Sequence, residues 1–234
     1  MKRKRYKIGV KKVDREILDL AKRYSTPRTL EHIRKLFTSV IKVHWEELNE
    51  KDIVMASYAL KELVRIFRVF SRYEEVKKVV IFGSHRCSRK SKEYKMAQDF
   101  ARKITKKGYV VVTGGGGGIM EAGNCGAGKK GIAVAIRLPY EEPNPFVVKG
   151  EKLINTRYFF TRKLAMVKGS NATVLFPGGF GTFDEVFEVL TLMQTSKSVP
   201  RPLIFVETPG KKYWENLFSF LRKTLLEEGY ITEE

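Results

Sequence analysis

From about residue 76 onward, short apolar runs alternate with longer amphipathic stretches. The runs Lys78–Phe82, Tyr109–Val112, Ile132–Arg137, Lys152–Asn155, Ala172–Phe176 and Leu203–Val206 are short, β-branched and apolar, as strands covered on both faces must be. Stretches near 91–107, 119–127, 157–169, 182–195 and 212–228 carry helical spacing. Alternation of this kind predicts the α/β class, a doubly wound parallel sheet that binds ligands outside the carboxyl ends of its strands.

Residues 1–75 follow another pattern. Ile53, Ala56, Leu60, Leu63, Val64 and Phe67 recur at helical spacing between about Glu46 and Tyr73, and an earlier helical stretch is broken at Thr26-Pro27. The expected organisation is an N-terminal helical arm over 1–75, packed on the sheet or on a partner subunit, followed by a Rossmann-like nucleotide-binding domain over 76–234.

Composition adds a charge asymmetry. Lys and Arg exceed Asp and Glu by ten over residues 1–78, by eight over 79–130 and by one over 131–234. A basic face of this kind binds nucleic acid, draws in anionic small substrates or is simply solvated. There is neither zinc-finger spacing nor an aromatic RNP signature, so nucleic acid is not the expected partner. Cys87 and Cys125 are the only cysteines, without metal-ligand spacing, so no metal is expected. The basic start Met1–Arg5 leads into no apolar core, and no apolar run reaches the ~18 residues of a membrane span. A cytoplasmic protein without a membrane partner is expected.

Two glycine-rich turns carry the candidate chemistry, and each sits at the carboxyl end of a predicted strand. The first is Thr113-Gly114-Gly115-Gly116-Gly117-Gly118-Ile119-Met120-Glu121, and the second is Pro177-Gly178-Gly179-Phe180-Gly181-Thr182-Phe183-Asp184-Glu185. Glycine lets the backbone approach a ligand closely, and a helix starting there aims free N–H groups at an anion. The first turn follows the second strand of the alternating region, and no acidic residue ends the next strand, which argues against a nicotinamide cofactor. It also lacks the Gly-Lys-Ser/Thr of a Walker loop.

At the second turn Thr182 and Glu185 read in two ways. As T-x-x-E they form a capping box at the start of a helix with Phe183, Val186, Phe187, Leu190 and Met193 on one face. Alternatively, Glu185 is a carboxylate at the mouth of the sheet, placed to stabilise a ribosyl cation or activate water. Upstream, Arg162 and Lys163 are adjacent on a predicted helix and diverge by about 100°.

Arg162-Lys163, followed by Pro-Gly-Gly-x-Gly-Thr-x-x-Glu ending 23 residues after Arg162, resembles the LOG (Lonely Guy) family of cytokinin-activating phosphoribohydrolases. The first turn with Met120 and Glu121 is similar to that family's other glycine motif. Phe82-Gly83-Ser84-His85-Arg86 resembles its opening Gly-Ser turn. The resemblance spans roughly residues 76–228. Many relatives bear an old "lysine decarboxylase" label, yet no pyridoxal-phosphate site is recognisable in the sequence.

The resemblance implies hydrolysis of the N-glycosidic bond of an adenosine-type nucleoside 5′-monophosphate, without a cofactor, by a homodimer. It implies Arg162 and Glu185 as the catalytic pair. Gly83, Ser84, Gly115, Gly116, Gly118, Met120, Glu121, Lys163, Pro177, Gly178, Gly179, Gly181, Thr182, Thr191 and Gln194 would bind substrate, with the 5′-phosphate on Gly178–Thr182. Two departures stand out: the first turn is all glycine where plant members carry bulkier residues, and Leu138–Pro145 and the arm are closer to the longer bacterial branch. Substrate preference therefore stays open between AMP and an N6-prenylated form. A second reading is a nucleotide or cofactor carrier without turnover, akin to a molybdenum-cofactor carrier.

Overall fold

A computed structural model of the chain describes residues 6–139, 142–147 and 152–232. The basic start Met1–Arg5, and Tyr140 and Glu141 of the segment singled out above, lie outside the described residues. The chain divides into two compact units, Met1–Tyr58 and Ala59–Glu234.

The first unit holds α1 (Lys11–Arg23), α2 (Leu30–Trp45) and the start of α3 (Glu50–Ser71). Thr26-Pro27 falls between α1 and α2, where proline ends a helical run. Arg34 holds this unit's start: its Nη1 donates to Tyr6 O at 2.6 Å, while Nε and Nη2 fork onto Glu31 at 2.8 and 2.7 Å.

The second unit is a six-stranded, wholly parallel sheet: β1 (Lys78–Phe82), β2 (Val110–Thr113), β3 (Gly131–Ile136), β4 (Leu153–Thr156), β5 (Ala172–Leu175) and β6 (Leu203–Phe205). The connecting helices are α4 (Lys92–Lys106), α5 (Ile119–Ala127), α6 (Phe159–Lys168), α7 (Phe180–Gln194) and α8 (Tyr213–Phe220), the last running into a π-helical turn over Leu221–Leu226. The sequence-predicted strands and helices of this region are all present, with ends moved by one or two residues except where α8 gives way to the π turn.

Side chains alternate across the sheet. Val80, Phe82, Val112, Val134 and Ile154 face Ile66, Met166, Val186 and Trp214, whereas Val79, Ile81, Val111 and Val174 face Ala97, Ala101, Ile119 and Ala122. Most of these side chains are fully buried, each worth ~1.5–3 kcal/mol for the larger aliphatics. The strand order is β4-β3-β2-β1-β5-β6. The chain therefore runs outward from β1 to β4, then returns to lay β5 on the other side of β1. The strand order reverses between β1 and β5, the switch point at whose carboxyl ends ligands bind in sheets of this kind.

The apolar positions expected at helical spacing lie on α3, but they are not the face that packs on the sheet. Ile53, Leu60, Val64 and Phe67 are exposed, and the buried stripe is Glu62, Ile66 and Val69. Ile66 and Val69 pack into the sheet core, and the acidic residue shares their face because its carboxylate has partners in Arg157 N, just before α6, and Thr161 on it. Among the described residues no helix is long and apolar enough to cross a membrane.

Candidate active site

Three loops meet at the carboxyl ends of β1, β2 and β5, and their backbones are joined. Ser84 N donates to Pro177 O at 3.0 Å, and Ile119 N donates to Ser84 O at 3.0 Å. Ser84 Oγ accepts from Arg86 N at 3.2 Å, so this side chain shapes its own turn. Gly118, where α5 begins, has φ of 62°, and a Cβ there would overlap Ser84 O. Only glycine satisfies both the backbone angle and the close approach.

The first glycine turn is pinned from behind. Asn144 Nδ2 donates to Gly115 O at 2.9 Å, Gly116 O at 3.0 Å and Asn124 Oδ1 at 3.0 Å, and Asn144 N donates to Gly115 O at 2.8 Å. Thr113 Oγ1 donates to Asn124 Oδ1 at 2.6 Å and accepts from Gly115 N at 3.0 Å. In a trans peptide the N–H points opposite to the C=O, so the N–H groups of Gly116 and Gly117 face away from Asn144. Sequence reasoning missed Asn144; a lone Asn between two prolines carries no signal without the fold.

Arg162, in the first half of α6, is aimed at this turn. Its Nε donates to Val134 O at 2.9 Å and its Nη2 to Gly114 O at 3.2 Å, with Met120 Sδ 3.8 Å away. Arg162, Met120 and Gly114–Gly118 are thus brought together. Glu121 is engaged elsewhere: Arg89 Nε donates to its Oε1 at 2.5 Å and Tyr94 OH at 3.0 Å, which ties α5 to α4. Burial and the Glu121 carboxylate push the Tyr94 phenol up to about 12.

At the second turn α7 begins at Phe180, two residues earlier than the sequence predicts, and Gly179 is its N-cap. Thr182 therefore sits within the first turn, its N–H donating to Gly179 O at 2.9 Å, and the N-cap itself, a glycine, has no side chain to cap the helix. The capping-box reading of Thr182 and Glu185 is corrected accordingly. The uncapped start leaves donors and partial positive charge at the Gly178-Gly179 turn. A Cβ at Gly178 would overlap Thr182 Oγ1, whereas at Gly179 and Gly181 it would meet open space. Tyr213 OH closes the back of the turn, donating to Gly178 O at 2.5 Å.

Glu185 lies one and a half turns into α7. It is 5% exposed, and among the described residues its Oε2 finds no hydrogen-bond partner. Burial raises its pKa from 4.5 to about 7, against the opposing pull of Lys163 and Arg162. Lys163 Nζ bridges Asp184 Oδ2 at 2.5 Å and Glu188 Oε2 at 3.0 Å, so α6 is clasped to α7 on either side of Glu185. Thr191 and Gln194 are exposed near the far end of α7, about 9 and 13 Å along the axis from Glu185; the fold does not bring them to the turns.

A family model described as "Possible lysine decarboxylase" matches residues 117–234. An "Uncharacterized protein" of Archaeoglobus fulgidus is 30% identical over 126 residues, 53% of this chain and 80% of that protein. A cytokinin riboside 5′-monophosphate phosphoribohydrolase of Arabidopsis thaliana is 28% identical over 160 residues, 67% of this chain and 72% of the plant protein. Among solved structures, the molybdenum cofactor binding protein of Rippkaea orientalis aligns with a TM-score of 0.45 at 24% identity, over 62% of this chain and 83% of that one.

Proposed function

Given that the chain belongs to the LOG family, the one whose model is described as "Possible lysine decarboxylase", we propose that it hydrolyses the N-glycosidic bond of an adenosine-type nucleoside 5′-monophosphate to free base and ribose 5-phosphate. The observation that carries this reading is Glu185: a carboxyl 5% exposed, with an oxygen that finds no hydrogen-bond partner among the described residues, on the helix that starts at the second glycine turn. A protein that only held a phosphate gains nothing from burying a second negative charge beside it.

In this mechanism the 5′-phosphate rests on the uncapped N-terminus of α7, where Gly179 and Gly181 leave room for it. The C1′–N9 bond breaks with its electron pair leaving on the base. Glu185, ionised, stabilises the positive charge that builds on the ribose and takes a proton from the water that adds to C1′; an equal proton ends on the base nitrogen that received the electron pair, which returns Glu185 to its ionised form. Arg162, fixed by Val134 O and Gly114 O, presents its charge on the nucleotide's side of the first turn. Exposed Phe159, Phe160 and Leu164 on α6 and Phe187 on α7 support a homodimer as the working unit.

The test is base release from a panel of nucleoside 5′-monophosphates including AMP and isopentenyl-AMP, followed by chromatography. Release of adenine or its N6-substituted form, with none from nucleosides lacking phosphate, is the expected result and names the base. Tight binding of the same nucleotides without release makes the protein a carrier and overturns the reading.

A further inference from the structure

The geometry points to Glu62, on α3, as a positioning residue that sets Arg162 in the site; this rests on the phosphoribohydrolase reading above. Glu62 is buried on the stripe that otherwise carries Ile66 and Val69. Its Oε1 accepts from Arg157 N at 2.6 Å and its Oε2 accepts from Thr161 Oγ1 at 2.6 Å. Those two donors flank the N-terminus of α6, whose own N-cap residue, Tyr158, provides no side-chain cap and whose first turn holds no acidic residue. Glu62 therefore ties the residue that leads into α6 to the first turn of that helix, with its negative charge near the positive end of the α6 dipole.

The opposite end of α6 is held in the complementary way. Arg201 Nη1 donates to Val167 O and, at 2.9 Å, to Ser170 O, placing a cation on the terminal carbonyls. A helix fixed at both ends cannot slide or rotate freely. Arg162 follows Thr161 directly, so the carboxylate that grips Thr161 determines where the guanidinium fork meets Val134 O and Gly114 O. Arg65, one turn away on α3, adds a contact to β4 by donating to Leu153 O at 3.2 Å.

Glu62→Ala removes both hydrogen bonds. Glu62→Gln keeps them, because the amide oxygen accepts from Arg157 N and the amide group donates to the Thr161 oxygen. In the full-length protein, Glu62→Ala is expected to lower kcat by roughly 100-fold, the scale of a 1 Å misplacement of a catalytic group. KM should stay within about threefold, because the phosphate site lies on α7. Glu62→Gln should recover most of kcat, and Glu62→Ala should add nothing in an Arg162→Ala background. Unchanged kcat, a loss that follows the fraction of folded protein, or an equal loss in the Arg162→Ala background overturns the inference.

If wild-type protein releases no base, the functional reading alone falls. The Arg162 Nε–H resonance, held by Val134 O, then decides: Glu62→Ala should shift or broaden it, and an unmoved resonance overturns the positioning role. Thr161→Val, which removes one of the two hydrogen bonds while keeping the carboxylate, is read the same way where Glu62→Ala does not fold.

Discussion

Arg162 touches the first glycine turn by donating from Nη2 to Gly114 O at 3.2 Å, and the same contact leaves no space for a side chain at 114. A Cβ on Gly114 would overlap that Nη2 and lie 2.6 Å from Met120 Sδ. The glycine and the arginine are two halves of one device.

Gly114→Ala should therefore imitate the loss of Arg162. Steady-state kinetics should show kcat down by roughly 100-fold, and the double variant Gly114→Ala/Arg162→Ala should be no worse than Arg162→Ala alone. Losses that multiply would show that the glycine serves some separate purpose.

Glu185→Gln should exchange activity for stability. With its pKa raised from 4.5 to about 7 in the fold, Glu185 favours the folded state fully below about pH 4.5 and loses that contribution as the pH rises to about 7. At pH 8 the neutral amide should stabilise the protein by about 3 kcal/mol, visible as a higher melting midpoint, with the gain mostly gone at pH 5. Base release should fall by orders of magnitude while nucleotide binding persists. A destabilised Glu185→Gln at pH 8 would contradict the orphaned carboxyl.

The pH–rate profile should show an acidic limb near pH 7, because the mechanism needs Glu185 ionised. Lys163→Met should move that limb to higher pH, since it removes a cation that favours the carboxylate and leaves Asp184 and Glu188 uncompensated beside it. Kinetics of both proteins across pH 5–9 check the direction. A limb that stays put would separate Lys163 from Glu185.

Glycines in the two turns should fall into two kinds. Gly179→Ala meets open space, so its melting midpoint should stay close to wild type while KM for nucleotide rises about tenfold, as a methyl intrudes where phosphate sits. Gly118→Ala, strained at φ 62° and overlapping Ser84 O, should cost roughly 3 kcal/mol or more of stability. Thermal melts and nucleotide titrations of both variants distinguish these outcomes.

The alternation of strands and helices and both glycine turns were readable in the chain because β-branched runs and glycine punctuation are local signals. The start of α7 was not: Thr182 and Glu185 fit a capping box by spacing, but Gly179 begins the helix earlier because it lies where the chain leaves the sheet. The side of α3 that packs on the sheet is hidden in the sequence for a related reason. Counting apolar residues selected Ile53, Leu60, Val64 and Phe67, whereas the core takes Ile66 and Val69 together with a charged residue. An acidic side chain at helical spacing from Ile66 and Val69 was the one available sign, and its meaning depends on Arg157 N and Thr161 Oγ1, nearly a hundred positions away. Asn144 is similar, since its role exists only once Gly115 and Gly116 are folded against it.

Ser84 gives its N–H to the wall built by Pro177 and its carbonyl to the wall built by Ile119. One residue thus locks the loops that follow β1, β2 and β5 to one another. Turns held in register before anything binds leave little ordering entropy to lose on binding.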